Sequence, residues 1–195
     1  MNISYQLYCL GHVLYDKSKI YLRNNTNDNI QPKRIDNSPR GILGGLYDLT
    51  YDSTKIIDQL YLGNSYNARN YYQLQNNNIG LIVNSSPGVP NYFEDYFEYY
   101  NVNVKDISGA NILDYLNDTT EAINEFIINN PKKNVLVHCF MGSSRSATII
   151  IAYLIKYKKY RLRDALNYLK EKRPVVNLNI DFFSQLQIFE KNIKT

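Results

Sequence analysis

The sequence has no tryptophan and only two cysteines, at positions 9 and 139, among its 195 residues. Two cysteines are too few for the disulfide framework of a small secreted domain. No apolar run reaches the ~18 residues that cross a bilayer, and the N-terminus lacks the basic start and long apolar segment of a signal peptide. We therefore expect no membrane span and a reducing, cytoplasmic setting, with nuclear access left open.

A strong excess of one charge is also missing. The net charge is +4 and the isoelectric point is near 8.9, a mild balance that agrees with an anionic substrate. No arginine-rich block is present, so nucleic acid is not an expected partner. The pair His138-Cys139 alternates across a strand, which argues against a tetrahedral zinc site, and we expect no metal.

The chain divides into an extension and a longer patterned part. Residues 1–52 read as an N-terminal extension, with a possible hairpin followed by a polar linker. Residues 53–195 alternate between predicted strands and helices, which indicates an α/β fold with a central, mostly parallel sheet flanked by helices. The predicted strands cover 56–62, 79–83, 97–104 and 134–138. The predicted helices cover 64–75, 112–127, 144–157, 162–172 and 180–193.

The most informative stretch runs from the strand at 134–138 into a helix that starts near residue 144. Cys139 begins the loop between them, Gly142 lies within it, and Arg145 follows six positions after the cysteine. Backbone N–H groups of such a loop and the positive end of the helix dipole favour an anion, and they favour a thiolate as well. The arginine can bind two oxygens of one tetrahedral anion. A lone cysteine here would more simply be a buried structural residue, but the coincidence of these residues favours a phosphate-binding nucleophile.

The pattern His-Cys-x5-Arg-Ser resembles the signature of the cysteine-dependent protein tyrosine phosphatases, and the fuller HCxMGxSRSAT resembles their dual-specificity branch. The resemblance covers about residues 56–190 and includes Leu60-Tyr61-Leu62-Gly63-Asn64 and the segment from Arg173-Pro174 to Phe182-Phe183. It implies a catalytic domain at 53–195 with a protein tyrosine phosphatase-like fold. The family usually shows Pro-Asn where this chain has Leu178-Asn179, a departure expected to lie outside the chemistry.

Attack on a phosphorus atom needs a nucleophile and groups that stabilise the charge, and these needs suggest a role for the loop residues and their neighbours. Cys139 is the expected nucleophile, and Ser146 is expected to donate a hydrogen bond to the departing thiolate. His138 is expected to orient the loop and support a low cysteine pKa. The phosphate is expected to be bound by the loop that comprises Phe140, Met141, Gly142, Ser143, Ser144 and Arg145.

A proton donor for the leaving oxygen must come from elsewhere in the chain. Asp106 is the predicted general acid, because it follows a strand, precedes a long helix and matches the family's position. Considered alone, it reads as an ordinary aspartate that starts a loop. Asp114 is the competitor but lies inside the predicted helix, and Asp95 belongs to a segment expected outside the site.

The predicted function is hydrolysis of phosphotyrosine and of phosphoserine or phosphothreonine in proteins, through a cysteinyl-phosphate intermediate and without a cofactor. The expected partner is a phosphorylated protein, and the oligomeric state is open. One alternative is a catalytically weak or inactive module that binds phosphoproteins. Another is a phosphatase for a non-protein ester, a phosphoinositide or an RNA 5′ end; the uncharged loop and the missing basic track disfavour both substrates.

Overall fold

The structure, a computed structural model, describes residues 52–194. The hairpin and linker predicted before that point lie outside the described residues, and the domain boundary between 52 and 53 stays a prediction. In chain order the elements are β1 Thr54–Ile57, β2 Leu60–Gly63, α1 Ser65–Arg69, α2 Tyr71–Asn76, β3 Ile79–Asn84, β4 Glu98–Asn101, α3 Leu113–Asn129, β5 Asn134–His138, α4 Arg145–Lys158, α5 Leu162–Lys172 and α6 Ile180–Lys194.

The five strands form one sheet in the order β1-β2-β5-β3-β4. Strands β2, β5, β3 and β4 are parallel, and only β1 is antiparallel to its neighbour β2. The α/β prediction is confirmed. In the register of the sheet, the last residue of β5, His138, lies beside Gly63 of β2 and Asn84 of β3. The loops that follow these three strands therefore meet at one edge of the sheet.

The prediction of one strand over 56–62 and one helix over 64–75 is wrong in detail. The strand is two strands joined at Asp58-Gln59, where Gln59 adopts a positive φ of 64° and its side chain donates to the carbonyls of Asn130 and Lys133. The helix breaks at Asn70, whose side chain accepts a hydrogen bond from the Gln73 amide and so caps a second helix. Polar side chains that bond to nearby backbone compete with continuous secondary structure, which apolar periodicity alone does not reveal.

Helix α4 is the centre of the larger core. All residues from Ser146 to Ile155 are buried, and helices α3, α5 and α6 pack around it. Alternation along β5 sends Val135 and Val137 into this core and Leu136 into a smaller one on the other face of the sheet. Both faces are covered, as parallel sheets require. Within residues 52–194, no helix combines the length and apolar character needed to span a membrane.

Truncating a side chain of α4 should cost much of the domain's stability. We expect Ile150→Ala, at a fully buried position, to lower the free energy of unfolding by about 2–5 kcal/mol through lost burial and a residual cavity. Urea unfolding measures this change. The matched control is Ile128→Ala, on a helix position that is 67% exposed, for which we expect about 0.5 kcal/mol or less. Equal losses at both positions would contradict the buried placement of α4.

Candidate active site

The segment between β5 and α4 folds into a loop that only glycine permits at one point. Gly142 has a φ of +69°, and a Cβ built there would lie 2.5 Å from the carbonyl oxygen of Gly63. The Phe140 carbonyl accepts a hydrogen bond of 3.1 Å from the Ser65 amide at the start of α1. The segment that follows β2, at the edge of the sheet described above, therefore contacts the loop and holds it in place. Residues 139–145 are called the phosphate loop from here on.

The sulfur of Cys139 sits inside this loop with two donors directed at it. The Gly142 amide and the Ser146 hydroxyl each donate to Sγ at 3.2 Å, and the residue is 1% exposed. Burial by itself raises the pKa of the thiol. The charge of Arg145, the Ser146 hydroxyl and the amides of Ser146 and Gly142 together outweigh burial, so that the Cys139 pKa lies below its ordinary value. The site therefore favours a thiolate.

The guanidinium of Arg145 is held by hydrogen bonds at Nη1, and its Nε faces a carboxylate. Its Nη1 donates to the Ser86 hydroxyl at 3.2 Å and to the Val104 carbonyl at 3.4 Å. Its Nε is buried, makes no hydrogen bond, and lies 3.6 Å from Oδ2 of Asp106. The structure thus brings Arg145, the predicted anion clamp that binds phosphate oxygens, and Asp106, the predicted acid, into one ion pair. The Asp106 side chain keeps 30% of its surface exposed, so it borders the site from the solvent side.

Ser144 and Asn179 connect this carboxylate to the phosphate loop. The Ser144 hydroxyl donates to Oδ1 of Asp106 at 3.0 Å and accepts from the Asn179 amide at 3.2 Å. The Asn179 side chain also lies 3.5 Å from Oδ1 of Asp106. The departure from the family's Pro-Asn is at Leu178, whereas Asn179 matches the pattern and contacts the predicted acid. The only sign of this contact in the sequence is that Asn179 belongs to the family's closing element. Apolar periodicity does not connect that element to the phosphate loop.

Arg173 is a second site residue that sequence reasoning did not single out. It is 1% exposed, and its Nε donates to the Gly142 carbonyl at 3.1 Å while Nη1 donates to the Thr54 hydroxyl at 3.0 Å. A buried guanidinium stabilises a loop through such charge-assisted hydrogen bonds. It therefore supports the positive-φ backbone at Gly142 and adds positive charge next to an anion site.

His138 lies at the end of β5 and is fully buried. Burial, which is the largest effect, lowers its pKa to about 4, and the positive charge of Arg145 acts in the same direction. The imidazole is therefore neutral at physiological pH. Its Nδ1 lies 3.4 Å from the Cys139 carbonyl, and that contact fits the expected orienting role. A neutral ring supplies no full positive charge to the thiolate, so electrostatic support for a low cysteine pKa comes from Arg145.

The competing aspartates lie elsewhere. Asp114 is in the first turn of α3, and its carboxylate accepts from the Asn111 side chain at 2.8 Å. Asp95 lines a cavity of about 400 Å³ together with Ile79, the first residue of β3, at the opposite end of the strand from the site. Of the remaining loop residues, Phe140, Met141 and Ser143 are half-buried and Ser144 is buried. The site therefore combines a nucleophile, an anion clamp and one nearby carboxyl group.

Comparisons with known proteins agree with this arrangement. Residues 60–192 match the family model described as dual specificity phosphatase, catalytic domain. Protein phosphatase Slingshot of Drosophila melanogaster is 39% identical over 136 residues, which are 70% of this chain and 13% of that protein. Protein phosphatase Slingshot homolog 2 of Homo sapiens is 38% identical over 157 residues, 80% of this chain and 10% of that protein. The chain thus spans about a tenth of the length of these relatives.

Two solved structures have a fold similar to that of this chain. Human DUSP28 superposes with a TM-score of 0.70 at 29% identity, over 73% of this chain and 95% of that chain. A mouse putative dual specificity phosphatase, described as complexed with zinc tungstate, gives a TM-score of 0.69 at 29% identity, over 73% and 88% of the two chains.

The charge balance around Cys139 generates a prediction about thiol ionisation. In a Cys9→Ser background, we expect thiolate absorbance near 240 nm to appear below the pH of about 8.5 at which free cysteine ionises. Subtracting the curve of the Cys9→Ser/Cys139→Ser variant isolates the signal of Cys139. Adding Arg145→Ala or Ser146→Ala should move the midpoint to higher pH, since each removes a group that stabilises the thiolate. An unchanged midpoint in both variants would contradict the electrostatic account.

Gly142 should not tolerate a side chain. We expect Gly142→Ala to lower the free energy of unfolding by about 1–3 kcal/mol, from positive-φ strain and the clash with Gly63, and to raise the midpoint of thiolate formation. The control is Gly88→Ala, because no atom lies within 4 Å of a Cβ built there. Urea unfolding and the 240 nm titration report the two effects. If both glycines tolerate alanine equally, the described loop conformation is incorrect.

Proposed function

The chain belongs to the dual-specificity phosphatase family, and from that premise we propose that it hydrolyses phosphotyrosine and phosphoserine or phosphothreonine in proteins through a cysteinyl-phosphate intermediate. The observation that carries the proposal is the meeting of three charges. A thiol with a depressed pKa, a guanidinium and a carboxyl group converge on one loop, with the guanidinium and carboxylate 3.6 Å apart. A structural cysteine needs none of these neighbours.

In the first step, the Cys139 thiolate attacks phosphorus while the bond from phosphorus to the leaving oxygen breaks. Protonated Asp106 gives its proton to that oxygen, which departs as a neutral phenol or alcohol. Backbone amides of residues 140–145 and the Nε edge of Arg145 bind the three equatorial oxygens, where charge develops. Before this step, the bound phosphate replaces Asp106 at the Arg145 guanidinium, and the released carboxylate takes up a proton from solvent that it then holds next to the leaving oxygen.

In the second step, water attacks the phosphorus of the cysteinyl phosphate. Asp106, now ionised, accepts a proton from that water, and the bond between sulfur and phosphorus breaks to release inorganic phosphate and the thiolate. Ser146 donates to the sulfur at 3.2 Å, a bond that strengthens as negative charge returns there. The cycle restores both groups to their starting state. We propose no metal or cofactor for either step.

Protein esters fit the site better than the alternative substrates. The loop side chains Phe140, Met141, Ser143 and Ser144 carry no charge that would select a highly anionic inositol or RNA end. The relatives are named as protein phosphatases, which supports a phosphorylated protein as the partner. A module that only binds phosphoproteins is not favoured, because the nucleophile and the acid candidate are both present. We propose a reducing compartment such as the cytoplasm, since the thiol must stay unoxidised.

Substitution of the nucleophile and the acid tests the proposal with two esters. Cys139→Ser should reduce kcat on para-nitrophenyl phosphate by at least about 10³-fold, because a hydroxyl at this position is not ionised. Asp106→Ala should reduce kcat on phenyl phosphate by about 10²-fold and on para-nitrophenyl phosphate much less, because nitrophenolate leaves without a proton.

The matched control for the acid is Asp114→Ala, which removes the competing aspartate outside the site and should change neither rate by more than about twofold. A wild-type protein without turnover would indicate a binding module. A loss with Asp114→Ala instead of Asp106→Ala would reassign the proton donor.

A further inference from the structure

The residues that carry the proposed proton donor form an exposed stretch. Residues 105–111, called the acid loop here, connect the end of the sheet to α3, and Lys105 to Gly109 are all exposed. Gly109 turns the chain with a φ of +77°. Exposed segments with few buried contacts open most readily, yet a general acid must stay within hydrogen-bond reach of its target. Some other element must therefore fix the acid loop.

Asp181, in the first turn of α6, makes the central contacts. Its Oδ2 accepts from the Gly109 amide at 2.8 Å and from the Ser108 hydroxyl at 3.0 Å. The first of these bonds is the larger cause of a pKa below the ordinary aspartate value, so the carboxylate is ionised at neutral pH. An ionised acceptor makes stronger hydrogen bonds than a neutral one. One side chain thus holds the turn that follows Asp106.

Two further residues of the same chain segment hold the two ends of the acid loop. The Asn179 side chain donates to the Ile107 carbonyl at 3.2 Å. Gln185 donates to the Ala110 carbonyl at 2.9 Å, and its Oε1 accepts from the Ile112 and Leu113 amides at 2.7 and 2.9 Å. Ile112 gives α3 no side-chain cap, so Gln185 satisfies these amides from another helix. The contacts of Asp181, to Ser108 and Gly109, lie between those of Asn179 and Gln185 along the acid loop.

Helix α6, which carries Asp181 and Gln185, is held rigidly in the core. Phe182 and Leu186 are fully buried and Phe189 is 4% exposed, so α6 is fixed in the core against α4. The same helix α4 begins at Arg145. Asp181 precedes Phe182 directly, and its place relative to the phosphate loop is therefore set by packing.

We propose that Asp181 is a positioning residue that holds the acid loop, by way of Ser108 and Gly109, so that Asp106 faces the phosphate loop. The inference rests on the proposed function, because the position of Asp106 matters only when a leaving group needs its proton. Asp181 does not contact the reacting atoms. Its removal should therefore affect protonation of the leaving group selectively and leave the nucleophile intact.

The test uses the full chain with Asp181→Ala, Asp181→Asn and a matched control, Asp164→Ala. Asp164 is also an aspartate in the first turn of a helix, α5, and it is exposed. The control therefore accounts for the loss of a negative charge near a helix N-terminus. Asparagine retains an oxygen that can accept both hydrogen bonds. Rates are measured on phenyl phosphate and para-nitrophenyl phosphate, together with hydrogen exchange of peptides that cover 105–111.

We expect Asp181→Ala to lower kcat on phenyl phosphate about tenfold and on para-nitrophenyl phosphate less than about threefold, with faster exchange in the acid loop. Asp181→Asn should recover most of the loss, and Asp164→Ala should match wild type. Combined with Asp106→Ala, Asp181→Ala should add no further loss, since both act through one proton.

Equal losses on the two esters, additivity with Asp106→Ala, or unchanged exchange would overturn the positioning role while leaving the phosphatase proposal intact. A wild-type protein that hydrolyses neither ester would instead overturn the proposed function, and this inference with it. The two failures are thus told apart by the wild-type rates alone.

Discussion

The site depends on stabilising a negative sulfur in a place from which water is excluded. Burial of Cys139 opposes ionisation, and the thiolate persists only because a guanidinium, a hydroxyl and backbone amides surround it. Two parts of the fold place these groups: the first turn of α4 places Arg145 and Ser146, and a turn that a side chain would prevent places the Gly142 amide. Weakening any of them raises the cost of the charge.

The same positive field attracts a phosphate. The groups that stabilise the Cys139 thiolate therefore also bind the phosphate that it attacks. Arg145 serves both purposes, and its orientation is fixed by the Ser86 hydroxyl and the Val104 carbonyl, which lie in the segments that follow β3 and β4. Arg173 adds a second buried guanidinium, which donates to the Gly142 carbonyl. Arg145 and Arg173 thus supply the positive charge at the phosphate loop, and the side chains of residues 140–144 are uncharged. Recognition of the phosphate group is therefore separated from recognition of the rest of the substrate.

The proton donor is held by a longer route. Asp106 reaches the phosphate loop through Ser144 and Arg145, and the loop that carries it is attached to α6 through Asn179, Asp181 and Gln185. Helix α6 in turn packs on α4, whose first residue is the clamp. The nucleophile, the anion-binding arginine and the proton donor are therefore all positioned by contacts that lead to the buried helix α4. This explains how an exposed aspartate can hold a defined position.

Local spacing in the chain was enough to predict the strand, loop and helix around Cys139, because these residues are neighbours in the chain and their chemistry depends on that spacing. It also indicated the α/β class through the alternation of apolar periods, and it drew attention to Asp106. The roles of Ser86, Arg173, Asn179 and Asp181, each 34 or more residues from Cys139 in the chain, became visible only from the folded arrangement. Hydrogen bonds between distant side chains leave no periodic trace in a sequence, since packing of the core, not chain distance, sets which of them meet.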